Sequence, residues 1–253
     1  MVRELVKTQK AETAFLSAEW KKLLMANYTI DPELLGLFVP PGTELDFWND
    51  KCYISLVGFM FLNTRVKGVS IPWHRNFEEV NLRFYVKRKM QGEWRRGVVF
   101  IKEIVPKPAI SLVANTRYKE HYVTRLMRHN WMEKAEYHEC TYAWNPFPTL
   151  KWVEFTARHN AESVAIEPGS EAEFITEHYW GYTKWDKTCS LEYEVKHPKW
   201  EVYHVQDFRV TGSLLDEYGP IFSGVLSNSP SSVFLAKGSE VEVMNANMIC
   251  VEP

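Results

Sequence analysis

From residue 79 to residue 86 polar and apolar side chains alternate, which is the period of an extended strand. Val80, Leu82, Phe84 and Val86 fall on one face, and Glu79, Asn81, Arg83 and Tyr85 on the other. A row of carboxylate, amide, guanidinium and phenol within an apolar region either faces bulk water or lines a polar pocket. The strand spans residues 76–89, and Met90-Gln91-Gly92-Glu93 reads as a hairpin loop leading to a return strand over 96–104. Upstream, residues 51–63 are apolar on both faces, as in a central strand covered from both sides. Downstream, Pro106-Lys107-Pro108 breaks the return strand, and residues 109–117 run out again as an extended segment.

The rest of the chain is read from its punctuation. Ser17 ahead of residues 18–25 predicts a serine-capped helix with an acidic first turn. Asp31-Pro32 predicts a second helix start, closed by Pro40-Pro41-Gly42. Residues 134–144 and 150–158 form a hairpin pattern around Asn145-Pro146-Phe147-Pro148, and Ser170 with Glu173 has capping-box spacing for a helix over 171–178. Strands over 188–196 and 201–210 flank a His197-Pro198 turn, and 213–218 reads as a short helix before Gly219-Pro220. These short spacings favour antiparallel pairing over βαβ units. There is no internal repeat and no linker, so residues 1–253 read as one α+β, mainly β, domain.

Composition adds three constraints. Ten Trp, twelve Tyr and fourteen Phe among 253 residues suggest a thick β core with room for a ring-walled cavity, since each such side chain buries on the order of 150–250 Å². The formal net charge of −2 argues against a nucleic-acid binder, and Lys87-Arg88-Lys89 with Arg95-Arg96 is more simply a solvated hairpin end. Cys52, Cys140, Cys189 and Cys250 are widely spaced with no CxxC pair, so free thiols in a reducing compartment are the simplest account. Residues 1–7 lack a signal-peptide apolar run, and the apolar stretch near 53–62 is about half a membrane helix. The expectation is a cytoplasmic protein with no membrane and no nucleic-acid partner.

No GxSxG elbow, phosphate-cradling glycine loop, dinucleotide fingerprint, HxH or HExxH appears, so no metal and no cofactor is implied. His74 and His178 can act as acids or bases near neutral pH, although a lone histidine beside aromatics is more often a packed residue.

A family becomes visible in Trp20-Lys21-Lys22-Leu23-Leu24-Met25-Ala26-Asn27-Tyr28, Val39-Pro40-Pro41-Gly42-Thr43, Tyr53-Ile54-Ser55-Leu56-Val57, Phe77-Glu78-Glu79-Val80-Asn81-Leu82-Arg83, Tyr118-Lys119-Glu120-His121-Tyr122 and Glu177-His178-Tyr179-Trp180-Gly181-Tyr182. In this order they resemble the YqjF-like proteins, a family of unassigned function in the acetoacetate-decarboxylase-like superfamily. The resemblance implies a curved antiparallel sheet closing into a barrel around a central cavity, with helices packed outside. Decarboxylases of that superfamily use a Schiff-base lysine after a Gly-aromatic-Pro turn and a glutamate from an upstream strand. The resemblance puts the glutamate on Glu79, the turn on Lys119-Glu120-His121 and the lysine position on Tyr122 or Val123, where no lysine stands. Lys119 is the nearest, about three residues early, and an odd shift in an extended segment turns a side chain to the opposite face. A Schiff-base lysine also needs a depressed pKa, whereas Glu120 beside Lys119 would raise it.

Glu79 and Arg83 lie four residues apart on one strand, roughly 13 Å between Cα atoms, so they act together only on a ligand lying between them or with help from a neighbouring strand. Arg83 is suited to a carboxylate, with Asn81 and Tyr85 as polar partners. Arg117, Tyr118, Glu120 and Tyr122 follow the extended segment ending at Asn115, where a loop at the mouth of a barrel commonly carries binding residues. The expected function is a cavity for a small, carboxylate-bearing organic molecule, in either a non-Schiff-base enzyme or a ligand sensor. In it Glu79 is the acid/base, Tyr118 or Tyr122 a donor to developing negative charge, and Asn81, Arg83, Tyr85, Arg117 and Glu120 bind the ligand. The rivals are a lyase with a displaced lysine, Lys119, and a non-catalytic interaction module whose own aromatics fill the cavity. A homo-oligomer is left open.

Overall fold

The computed structural model describes residues 13–134, 137–149 and 151–251. The reading of residues 1–7 lies outside them, as do positions 135–136 and 150 of the expected hairpin. The strands are β1 (Leu16–Thr29), β2 (Glu44–Leu45), β3 (Tyr53–Val66), β4 (Phe77–Met90), β5 (Glu93–Val105), β6 (Tyr122–Thr124), β7 (Met127–Glu133), β8 (His138–Trp144), β9 (Val153–Ala165), β10 (Trp180–Lys184), β11 (Cys189–Lys196), β12 (Glu201–Thr211), β13 (Ser232–Val243) and β14 (Asn247–Cys250). The helices are α1 (Pro108–Tyr118), α2 (Glu171–Thr176) and α3 (Leu215–Leu226), with one 3-10 turn at Pro32–Leu35 capped by the Asp31 carboxylate.

The hydrogen-bonded order runs β11-β10-β5-β4-β3-β1-β13, and two further pairs, Val195 with Val243 and Lys196 with Glu242, return β13 to β11. The sheet therefore closes on itself. Past β13 it continues through β12, β9 and β8 to β7, and this second layer packs on the outer side of β1, β3 and β4. The wall they form is buried on both faces. Outward, Leu24, Leu56, Leu82 and Phe84 meet Tyr142, Trp144 and Phe155 of the second layer and Phe222 of α3. Inward, Met25, Val57, Phe59 and Tyr85 join Phe174 and Trp200. Alternation along β4 thus separates an apolar outer face from an inner face carrying Glu79, Asn81 and Arg83.

Several elements depart from expectation, and the helix expected from Asp31-Pro32 is only the four-residue 3-10 turn. Residues 18–25 form strand β1, not a helix. A bulge between Lys21 and Leu24, with Lys22 at φ 55°, breaks the alternation, and with both faces covered Leu23, Leu24, Met25 and Ala26 are all buried. The apolar run then has no strand period to display. Residues 109–117 form α1, not an extended segment. Pro108 sits at the first helical position, and Ile110, Val113, Ala114 and Tyr118 recur at helical spacing along the cavity. The expected 213–218 helix is longer, running through a kink at Gly219 into Leu226. The strands flanking His197-Pro198 do not pair with each other, because β11 lies on β10 and β14 while β12 lies on β9 and β13.

The four cysteines are not all free. Cys189 and Cys250 stand opposite each other on β11 and β14 and form a disulfide; Cys52 and Cys140 are free and buried. A separation of 61 residues hid the pair from any local motif. The basic hairpin is paired, with Arg88 and Arg95 on Glu192 and Arg96 on Asp46. Among the described residues no helix is long and apolar enough to cross a membrane.

Candidate functional site

The closed part of the sheet holds a cavity of about 300 Å³, whose walls include Trp20, Phe59, Phe61, Phe100 and Trp200 and, among polar residues, Glu79, Asn81, Arg83, Glu103, Glu120 and Tyr122. Two strands and one connection deliver the acids, and a third strand adds a phenol. Glu79 and Asn81 come from β4; Glu103 of β5 is paired across from Asn81; Tyr122 of β6 is paired with Glu103. Glu120 lies in the link between α1 and β6.

Glu79 is buried and accepts from Asn81 Nδ2 at 3.1 Å and from the Tyr122 hydroxyl at 3.1 Å. Burial pushes its pKa up to about 7, against the opposing pull of those two donors and of Arg83. Glu120 accepts from Thr183 at 2.6 Å and from Tyr193 at 2.9 Å; burial, with Glu79 adding repulsion, lifts it to about 7 as well. Glu103 is raised well above the carboxylate range by burial and by Glu120 and Glu79, and its Oε2 has no partner among the described residues. Three buried carboxyls around one cavity resist ionising together, so they hold protons toward neutrality. Tyr122 is pushed well above the usual phenol range, first by burial, and stays a donor.

Arg83 faces the same space with a different character. It is 9% exposed, and among the described residues no oxygen accepts from its guanidinium. Among the described residues it lies near the Met25 sulfur at 3.9 Å and the Tyr85 ring, 5.7 Å from the guanidinium carbon. A buried guanidinium without an oxygen acceptor leaves its strong donors unsatisfied.

The other expected residues divide. Tyr118 lines the cavity from the last turn of α1, and its hydroxyl has no partner among the described residues. Tyr85 does not line it: its hydroxyl is bound to Ser55 Oγ at 2.6 Å and its ring lies against His178 and Phe174. Arg117 is exposed and stacks over Phe15. Lys119 caps α1 at φ 51° and turns outward, its Nζ donating to Trp185 O at 2.8 Å; no lysine lines the cavity among the described residues. The space beside Glu79 is not filled by the protein's own aromatics. Glu103 was missed, as was the cavity position of His178, Thr183's and Tyr193's hold on Glu120, and the His178–Asp46 pair. Among the described residues, no group of three or more His, Cys, Asp or Glu side chains is placed to hold a metal ion.

Residues 17–240 match the DUF2071 family, described as an uncharacterized conserved protein (COG2071). Over 71 residues the chain is 39% identical to the uncharacterized protein YqjF of Bacillus subtilis (strain 168); the match is 28% of this chain and 29% of that protein, under a third of its length. Among solved structures, the enduracididine biosynthesis enzyme MppR complexed with pyruvate superposes with a TM-score of 0.66 at 14% identity, covering 97% of this chain and 94% of that one. Acetoacetate decarboxylase from Legionella pneumophila subsp. pneumophila str. Philadelphia 1 gives 0.64 at 10% identity, covering 99% and 92%. At such identities the likeness shows the fold, and the fold is the acetoacetate-decarboxylase-like one that the resemblance implied.

Proposed function

The chain belongs to the DUF2071 family, and we propose that it binds a small organic carboxylate in the cavity, anchored by Arg83 and facing the protons of Glu79, Glu103 and Glu120. The observation that carries this is the Arg83 guanidinium, buried in the cavity wall with no oxygen acceptor among the described residues. A carboxylate there gains charge-assisted hydrogen bonds from a guanidinium that is largely buried. The aromatic walls suit an apolar substituent on the same acid. A neighbour of the same fold has been solved with pyruvate, a small acid, which supports this class of occupant.

The acids supply chemistry that needs no lysine. Glu79 and Glu120, each near pH 7, can take or give a proton at neutral pH, and Tyr122 can donate to an oxygen on which charge develops. This favours an acid–base enzyme acting beside a carboxylate, with a ligand sensor as the same binding event lacking turnover. Lys119, anchored outside on Trp185, offers no support for a Schiff base.

Thermal unfolding against a panel of keto, hydroxy and aromatic acids tests the reading in wild type and Arg83→Met. An acid at a hundred times its dissociation constant adds roughly 2.7 kcal/mol of stability. The expected result is a shift in wild type that disappears in Arg83→Met. A ligand that shifts both proteins equally overturns the assignment of Arg83.

A further inference from the structure

Residues 63–77 carry Arg65, Lys67 and Arg75 and no acid, and residues 104–119 carry Lys107, Arg117 and Lys119 and no acid, in a chain of net charge −2. The first segment is the β3–β4 loop with its borders and the second is centred on α1. Both border the cavity, through Ile71 and His74 on one side and Ala109, Val113 and Ala114 on the other. Ile71, Ala109 and Val113 are also exposed, which marks this as the mouth. Phe15 joins the two sides: its carbonyl accepts from the Lys67 backbone N–H at 2.8 Å, its ring meets Tyr118 edge-on at 5.2 Å, and the Arg117 guanidinium lies over it at 5.2 Å. The loop is held by its own backbone. Val66 and Val69 exchange two hydrogen bonds across a Lys67-Gly68 turn, the His74 N–H donates to Ile71 O at 3.1 Å, and the Thr64 N–H donates to Arg75 O at 3.0 Å. This frame leaves apolar side chains in water: Trp73 is 87% exposed, Val69 65%, and Leu112, beside Val113 on α1, 66%. Trp73 stands at φ 59°, a conformation costly for a bulky residue. Arg65, Lys67, Arg75 and Arg117 are exposed too. Among the described residues no carboxylate pairs with any of the four, in contrast to Arg88, Arg95 and Arg96 of the β4–β5 hairpin.

We propose that this rim is a docking surface for an anionic lipid bilayer: Val69, Ile71, Trp73 and Leu112 enter the interface, Arg65, Lys67, Arg75 and Arg117 meet the headgroups, and the cavity opens onto the membrane. Protruding apolar side chains among unpaired cations match the layers of such a surface, negative outside and apolar beneath, and tryptophan favours the boundary between them. Val69, Trp73 and Leu112 stand out from the rim instead of lining a groove, which suits a fluid interface better than a shaped protein partner. Each cation brought to an anionic surface strengthens binding about fivefold. The expectation of no membrane partner rested on the lack of a spanning segment, and a surface contact needs none. Neither Arg83 nor the buried acids take part, so this contact stands or falls apart from the carboxylate site.

Cosedimentation of the full chain at physiological salt, with vesicles of phosphatidylcholine alone and of phosphatidylcholine mixed with phosphatidylglycerol, tests the contact. Wild type is expected to bind the mixed vesicles and to leave the neutral ones. Lys67→Gln combined with Arg75→Gln should weaken binding about twenty-fivefold. Trp73→Asn, which tolerates the same backbone conformation, should weaken it about tenfold. All three side chains are exposed, so the variants should keep the wild-type Tm. Lys51→Gln combined with Lys89→Gln removes two exposed cations at the opposite ends of β3 and β4 and should bind as wild type does. No binding to either vesicle, equal binding to both, or binding that the Lys67–Arg75 pair and Trp73→Asn leave intact overturns the inference. A loss as large in the Lys51–Lys89 variant does the same, since net charge alone would then explain it. So does self-association of wild type, read by sedimentation velocity, that Trp73→Asn abolishes, since a second copy then covers the rim. Acid binding at Arg83 is measured without lipid and is untouched by any of these outcomes.

Discussion

A carboxyl group shut away from water keeps its proton to a higher pH, and at Glu79 this has a thermodynamic signature. In the unfolded chain the group titrates near 4.5, in the folded protein near 7, because burial outweighs its hydrogen bonds and Arg83. The stability it contributes is fully present below 4.5 and is lost as pH rises through about 7. His178 works in the opposite sense: lowered from 6.5 to about 4, it contributes stability present above 6.5 and lost as pH falls through 4. Comparing Glu79→Gln with wild type cancels the histidine. The variant should gain stability relative to wild type between pH 4.5 and 7, with the gain level above that, as read by urea midpoints at pH 4.5, 6, 7 and 8. A pH-independent difference would mean that Glu79 is not desolvated. At this scale the chain was partly transparent. Glu79, Asn81 and Arg83 could be read because β4 keeps an unbroken period of two. Glu103 could not, because β5 bulges between the partners of Leu82 and Arg83, and the adjacent Lys102 gives the pair the look of a solvated surface. In fact Lys102 turns to Glu217 on the other side of the strand while Glu103 enters the cavity.

The elements hold the acids through close backbone approaches. Gly181 of β10 is paired with Tyr193 of β11, and a Cβ at Gly181 would come within 2.1 Å of the tyrosine Cζ. The ring therefore lies over the glycine, and its hydroxyl reaches Glu120. Gly181→Ala should displace Tyr193, cost about 1–3 kcal/mol as an overpacked contact, and raise the Glu120 pKa by removing one of the donors that lower it. Tyr193→Phe should raise the same pKa with no backbone clash. A carbon-detected titration of the glutamate carboxyls checks both, and an unmoved Glu120 in the two variants would contradict the assignment. Elements whose ends are marked by turn chemistry were legible: the β4–β5 hairpin, the β8–β9 pair and α2, where Ser170 accepts from the backbone of Glu173. Those whose pattern depends on what covers them were not. β1 lost its alternation to a bulge and to burial on both faces. α1 carries a cavity-facing stripe whose Ile110 and Val113 suggest a strand when seen without the cavity.

The molecule as a whole is organised by one wall with two duties. On its inner side β3 and β4 present the cavity residues; on its outer side they bear the second layer. The layers approach closely at Gly58 of β3, flanked by Leu24 and Val80, where a Cβ would stand 2.4 Å from Phe155 Cζ and 2.8 Å from Tyr142 Cδ2. A methyl group there must push the outer layer away, and two aromatic rings held in a close-packed core yield little. Gly58→Ala should therefore lower stability by about 1–3 kcal/mol, a fall in Tm of several degrees for a chain of this length. The strain enters on the face turned away from Glu79 and Arg83, and strand alternation keeps it there. Measured below its own Tm, the variant should bind a carboxylate ligand with wild-type affinity. Affinity that fell together with stability would mean that the second layer sets the geometry of the cavity through the wall, and the outer face would then have to be counted as part of the site.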